Sequence, residues 1–344
     1  MRLPSIWPVF PASGQLAVWV NSACLFLAIF SGALGAARGG EPQSVSLSRI
    51  EVVPVESITI SDEQFLSGEG TGKPTTVAGV LRLVRSARPA PLVIFIAGSG
   101  GFNQSVDVLG RQLEQIGIST FALDGFAARN IADTVSDQSQ LGRLNMIVDL
   151  YRSLALLGHH RGIDPARIAV VGFSRGGQVA LYSSLRRFQK RWNTSGVELA
   201  AHISIFGPCN TRFIDDTEVS DRPIMLFHGE LDDYVEISPC RRYVERLRDA
   251  GRNATLVSYP DTWHGFNYPA FPLKPVLLRN AQTNHCEIVE QAPGVLIDAA
   301  TNQRFSYEDG CVGRGAHLAY SPEAAMAMEA RLKGLLCTVF GLAE

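Results

Sequence analysis

The segment Gly172-Phe-Ser174-Arg-Gly176 places a hydroxyl between two glycines, each two positions away. Attack by a serine hydroxyl needs an Oγ exposed at a sharp strand-to-helix turn, and such a turn leaves no room for flanking side chains. A bare Gly-x-Ser-x-Gly also occurs in ordinary glycine-rich turns, so its surroundings decide the reading. Here the run Arg167 to Phe173 predicts a strand, and Arg175 to Phe188 predicts a helix. The start of that helix brings partial positive charge beside Ser174. Serine is a weak nucleophile until a base takes its proton and an acid orients that base. In strand–serine–helix enzymes the chain order is Ser, then Asp or Glu, then His. The chain obeys this with Asp232, in His228-Gly-Glu-Leu-Asp232-Asp233, and His264, in Asp261-Thr-Trp-His264-Gly-Phe266. The expected roles are Ser174 as nucleophile, His264 as general base and then acid, and Asp232 as the group that sets the imidazole tautomer.

Other residues compete for these roles. Asp233 and Glu230 lie beside Asp232. His228 precedes the acid and reads as a structural residue under the acid loop. His159 and His160 sit at a helix end, His202 begins a strand, and His285 and His317 fall in an irregular stretch. Asp261 reads as a turn residue. An oxyanion hole needs two backbone donors. One is expected at the N–H of Arg175, directly after the serine, and the other in the loop Gly98-Ser99-Gly100-Gly101. Ser99 and Gly100 both remain open as that second donor.

Strands and helices must alternate to hold these residues. Ile50–Ile60 and Val77–Val84 read as strands separated by a polar turn around Ser67 to Pro74. The unbroken apolar run Pro91 to Ala97 suits a strand buried on both faces. Helix Val106–Ile116, strand Ile118–Leu123 and helix Leu141–Leu157 follow. Strands His202–Phe206, Pro223–His228 and Ala254–Tyr259 come later, with Ser238-Pro239 and Ser321-Pro322 reading as helix starts. This alternation predicts an α/β fold, a mostly parallel doubly wound sheet with helices on both faces. Acid and histidine both follow strand ends, where such sheets place their sites. Tyr268 to Tyr320 reads as an irregular, cysteine-bearing excursion.

Composition narrows the class. The chain has 344 residues, 46% of them hydrophobic, with a formal net charge of −2. That balance offers no basic field for nucleic acid. Arg2, the apolar stretch Leu16 to Leu34 and the small residues Gly32 to Ala37 resemble a secretory signal peptide, with cleavage expected near Ala36 to Arg38. Asn21, Ser22 and Ser31 interrupt the stretch, which argues against a retained membrane anchor. The expected location is therefore periplasmic or extracellular. Export permits disulfides. Of the 6 cysteines, Cys24 would leave with the signal, and an odd number would remain. The expected pairs are Cys209 with Cys240 and Cys286 with Cys311, although sequence does not determine connectivity. Cys337 reads as a small buried hydrophobe. The lack of Cys-x-x-Cys or His-x-x-x-His pairs argues against a metal site.

At these residues the chain resembles the dienelactone hydrolase branch of the α/β-hydrolase superfamily. The likeness rests on Asp164-Pro-Ala-Arg-Ile-Ala-Val-Val-Gly-Phe-Ser-Arg-Gly-Gly177, His228-Gly-Glu-Leu-Asp232, His264-Gly-Phe266, and Leu123-Asp-Gly-Phe126 with Arg129. It implies the triad Ser174, Asp232 and His264, no cofactor, and an α/β-hydrolase domain over residues 50–344. Residues 1–37 would be the signal and 38–49 a flexible segment. The enzymes that name the family carry a nucleophilic cysteine, whereas this chain has Ser174. That departure favours a carboxylesterase acting on small-molecule esters over a dienelactone hydrolase. Peptide or amide cleavage by the same triad is an alternative. So is a dinucleotide-binding oxidoreductase built on Gly98-Ser-Gly100 and Asp124, but Asn103 stands where a third glycine belongs. A non-catalytic binding protein would leave the ordered Ser, Asp and His unexplained. Nothing in the sequence indicates an oligomeric state.

Overall fold

Side chains alternate strictly between two apolar layers along the most buried strand. Leu92, Ile94 and Ile96 enter one layer, and Val93 and Phe95 enter the other. All five are essentially inaccessible to solvent, as expected of a parallel strand covered on both sides. A computed structural model describes residues 47–342, which lie within one compact unit. The expected signal peptide and residues 38–46 fall outside the described residues.

The chain begins with β1 (Leu47–Thr59), α1 (Asp62–Ser67), β2 (Lys73–Val84), β3 (Ala90–Ile96), α2 (Gln104–Gln115) and β4 (Ser119–Asp124). Next come α3 (Asn145–Leu157), β5 (Ile163–Phe173), α4 (Arg175–Tyr182), α5 (Arg186–Trp192), β6 (Ala201–Ile205), β7 (Thr211–Arg212) and β8 (Ile224–Gly229). Then follow α6 (Ile237–Asp249), β9 (Ala254–Tyr259), β10 (Val276–Asn284), β11 (Ile288–Ala292), β12 (Val295–Asp298), β13 (Gln303–Arg304), β14 (Val312–Leu318) and α7 (Pro322–Phe340).

The main sheet has 8 strands in the order β1-β2-β4-β3-β5-β6-β8-β9. Strand β2 is antiparallel to β1 and β4, and the remaining pairings are parallel. Pro54 is tolerated because β1 lies at the sheet edge, where a missing N–H breaks no ladder on the open side. Helices α2 and α7 cover one face through Val106, Leu109, Met328 and Leu332. Helices α3 to α6 cover the other, contributing Leu150, Val179, Phe188 and Tyr243. After β4 the chain crosses β3 and continues on its far side, so the connections leaving β3 and β5 diverge around a crevice.

Local chemistry shifts several expected boundaries. Just ahead of the predicted turn between the first two strands lies the short helix α1, whose start Ser61 and Gln64 close with a reciprocal capping box. The predicted helix 175–188 is two helices. Ser183 and Ser184 hydroxyls donate to the carbonyls of Ala180 and Leu181, competing with helical bonding, and Leu185 is extended. Helix α3 starts at Asn145 rather than Leu141, because Leu141 is extended and Asp62, distant in sequence, accepts from the Leu144 N–H. Ser238 does not cap α6. The helix begins at Ile237 behind Glu236, and Pro239 occupies its first turn, where no intrahelical acceptor is lost. Ser321 does cap α7, accepting from the Ala324 N–H.

The excursion is ordered β-structure rather than irregular chain. Strands β10 and β14 pair antiparallel, while β13-β12-β11-β7 form a second sheet of 4 strands. Arg187 and Glu290 form an ion pair that fixes β11 to α5, with Nη1 to Oε1 at 3.0 Å. Disulfides join Cys209 to Cys240 and Cys286 to Cys311, while Cys337 is a buried free thiol. The excursion begins and ends at one place: the Ser321 N–H donates to the Phe266 carbonyl at 3.0 Å, and the Tyr320 N–H donates to the Pro272 carbonyl at 2.9 Å.

Candidate active site

Ser174 occupies the turn between β5 and α4. Its φ of 52° lies in the left-handed region, which is unfavourable for a residue with a side chain. The turn is held by the Ser174 N–H donating to the Ile205 carbonyl at 2.9 Å and by the Gln178 N–H donating to the Ser174 carbonyl at 3.1 Å. Both flanking glycines are sterically required. A Cβ on Gly172 would overlap the Gly176 carbonyl, and one on Gly176 would overlap the Ile96 carbonyl. The tight packing of β3, β5 and α4 therefore explains the motif spacing.

His264 follows β9. Its Nε2 lies 3.1 Å from Ser174 Oγ and its Nδ1 lies 2.8 Å from Asp232 Oδ2. Asp232 Oδ1 accepts from the backbone N–H groups of Tyr234 at 3.0 Å and Val235 at 2.8 Å. His228 Nε2 donates to the Val235 carbonyl at 2.7 Å and lies 3.4 Å from Asp232 Oδ2. Burial pushes the Asp232 carboxyl upward, but His264 and His228 outweigh it and hold the group well below the ordinary carboxylate range. An ionised Asp232 thus faces His264 Nδ1. Aromatic rings fix the imidazole on two sides, with Phe206 at 4.7 Å and Tyr234 at 4.8 Å between centroids. Phe206 itself has a φ of 41°, so a second strained backbone position lies beside the imidazole.

The serine opens into a cavity of about 410 Å3. Ser99, Gly100 and their neighbours from Gly98 to Phe102 form one wall. Arg175 is the first residue of α4, so its N–H has no intrahelical acceptor. Its side chain points away from this chemistry: the guanidinium is buried and donates to the carbonyls of Gln138 and Leu141. No Asp, Glu, Lys or Arg lines the cavity, whose other walls include Val106, Val135, Phe173 and Phe206.

The excursion completes this cavity with Tyr268, Phe271, Leu278 and Leu318. Their apolar character in sequence did not distinguish a cavity wall from a core. Leu318 forms a parallel bridge with His264. The neighbouring His317 receives Asp233: its N–H donates to Oδ1 at 2.8 Å, and its Nδ1 lies 2.7 Å from Oδ2. No local motif marks this pair, because 84 residues separate its members.

A doubly wound sheet with a strand–serine–helix turn at its carboxyl edge is the α/β-hydrolase fold. Within it the chain belongs to the dienelactone hydrolase family, whose family model matches residues 77–284. Strands β11 to β14 lie past that match. The carboxylesterase Cest-2923 from Lactobacillus plantarum has 14% sequence identity and a TM-score of 0.54, with 86% of this chain and 100% of that one covered. A dienelactone hydrolase-like promiscuous phosphotriesterase from metagenomic libraries has 15% identity and a TM-score of 0.53, with 85% and 100% covered. Both are similar to this chain in fold. No helix among the described residues is long and apolar enough to cross a membrane.

Proposed function

We propose that this chain is an exported serine carboxylesterase that works through an acyl-enzyme on Ser174. The observation that carries the reading is the continuous hydrogen-bonded series Asp232–His264–Ser174, opening into a largely apolar cavity. Ser174 Oγ attacks the ester carbonyl carbon as its proton passes to His264 Nε2. Asp232 stabilises the resulting imidazolium. The Arg175 N–H and one N–H of the Ser99–Gly100 loop receive the oxyanion. His264 then returns the proton to the departing alkoxide, leaving the acyl group on Ser174. Water attacks this acyl ester and gives its proton to His264, which passes it to the departing Ser174 Oγ as the acid is released.

The uncharged cavity suits neutral, apolar esters, since a free carboxylate would lose its hydration there without gaining a cationic partner. The apolar N-terminal stretch and two disulfides support export. A fluorophosphonate probe should label wild-type protein and leave Ser174→Ala unlabelled; equal labelling of both would refute the mechanism. Short-chain p-nitrophenyl esters should turn over faster than peptide anilides. Faster anilide cleavage would reassign the chemistry to amides. N-terminal sequencing of exported protein should start close to Ala36–Arg38.

A further inference from the structure

Tyr234 separates the ester cavity from a second one, of about 50 Å3. The second cavity is lined by Gln138, Arg143, Gln178 and Asn210, with His285 and Glu236 among the remaining walls. Three of its lining side chains carry buried polar atoms with no hydrogen-bond partner: Arg143 Nε, Gln178 Nε2 and Tyr234 Oη. These residues are 4%, 2% and 7% exposed, respectively. Buried polar groups without partners are costly, so each calls for an occupant. The Asn210 amide is already committed, donating to the carbonyls of Asn284 and Cys286.

Charge selects the occupant. Arg143 Nη1 donates to Thr211 Oγ1 at 3.2 Å, and Phe305 lies against the guanidinium, with its ring centroid 5.1 Å away. Its nearest carboxylate, Asp62, is 3.6 Å from Nε, which is too long for a hydrogen bond. Arg175, one helical turn before Gln178, is equally buried and bonds to carbonyls rather than to a carboxylate. Arg143 therefore forms an ion pair with Asp62 without a hydrogen bond, and Arg175 has no carboxylate of its own, so the two buried guanidinium groups have one carboxylate between them. Glu236 is at the solvent-facing rim, 3.2 Å from His285. Burial pushes the Tyr234 hydroxyl up to about 12, so it keeps its proton to donate. Water could satisfy the three donors but would leave one of the two buried cations without a counter-charge. A water needs roughly 10–15 Å3 of such volume, so the cavity has room for something larger.

We propose that this cavity binds one monovalent anion, a halide or the carboxylate of a small organic acid, through Arg143, Gln178 and Tyr234. Bromide soaked into crystals should give an anomalous peak within about 3.5 Å of the Arg143 guanidinium. In solution, sodium chloride or sodium acetate should raise Tm saturably, with ionic strength held constant by MOPS, a bulky sulfonate. Arg143→Met should weaken this response at least tenfold, and Gln178→Met should weaken it severalfold. If Arg143→Met does not fold, Gln178→Met carries the test. A rise with chloride alone supports a halide site, and a rise with acetate alone supports a carboxylate site. No rise with either anion, an equal rise in wild type and variants, or a bromide peak without a Tm response would overturn the proposal. None of these readouts uses ester hydrolysis, so they stand apart from the esterase reading.

Discussion

Two adjacent aspartates each hold a histidine by Nδ1, at nearly equal distances, in very different settings. Asp232 and His264 are buried, and the far side of that imidazole reaches Ser174. Asp233 and His317 are partly exposed, with side chains 42% and 37% accessible, and Trp263 packs beside the second imidazole. The shared distance therefore does not define function. Burial strengthens the first pair electrostatically, and the imidazole's free edge is directed at a hydroxyl. The second pair uses the same interaction to fasten β14 to the acid loop, where solvent screens it.

The largest test of this contrast substitutes each acid in turn. Asp232→Asn should lower kcat by about 10,000-fold. Asp233→Asn should cost less than about tenfold, the scale of an exposed ion pair. The reverse ranking in steady-state kinetics would exchange their roles.

A third buried histidine isolates the effect of burial without an acid. His202 contacts Ser183, Ser220 and the Ala180 carbonyl, with no carboxylate partner, and burial lowers it to about 4. Its folded value lies below the unfolded value of 6.5, so the unfolded chain binds more protons between these limits. Stability should fall by roughly 3 kcal/mol as pH drops from 6.5 to 4. Urea melts across that range should show a flatter profile in His202→Gln; an unchanged slope would assign the loss elsewhere. Because Asp232 is held below the carboxylate range, it should add no proton of its own to the acid limb of kcat/KM. A slope of two would mean that Asp232 titrates as well. The smallest effect is expected for His317→Gln: about 1 kcal/mol or less of stability, with KM changing more than kcat. A kcat loss matching that of Asp232→Asn would collapse the distinction between the pairs.

Ser174 and the sheet were legible because their causes are local in sequence. Close packing at the turn demands Gly172 and Gly176, and strands covered on both faces demand unbroken apolar runs. His264 followed from chain order. The choice of Asp232 over Asp233 rested on the spacing of the family it resembles, because neighbours in sequence differ only in the direction of their side chains. The excursion was still less readable. Its strands pair with distant partners, such as Ile288 with Thr211, and the pairing of Asp233 with His317 spans most of the C-terminal region. The break between α4 and α5 depended on serine hydroxyls that bond to the preceding turn, an option that apolar periodicity does not register.

The meeting of Phe266 with Ser321 makes the intervening chain an exchangeable cassette. A loop whose ends already touch can change length at little entropic cost, because closure entropy grows only with the logarithm of loop size. Its interior supplies Leu278 and Leu318 to the cavity, while Asp232, His264 and Ser174 lie outside it and meet it at the His264–Leu318 bridge and the Asp233–His317 pair. Replacement of the cassette can therefore redraw the cavity wall, provided that those two contacts are kept. The cavity wall is thus free to vary in length and composition at all but a few positions, those that touch His264 and Asp233.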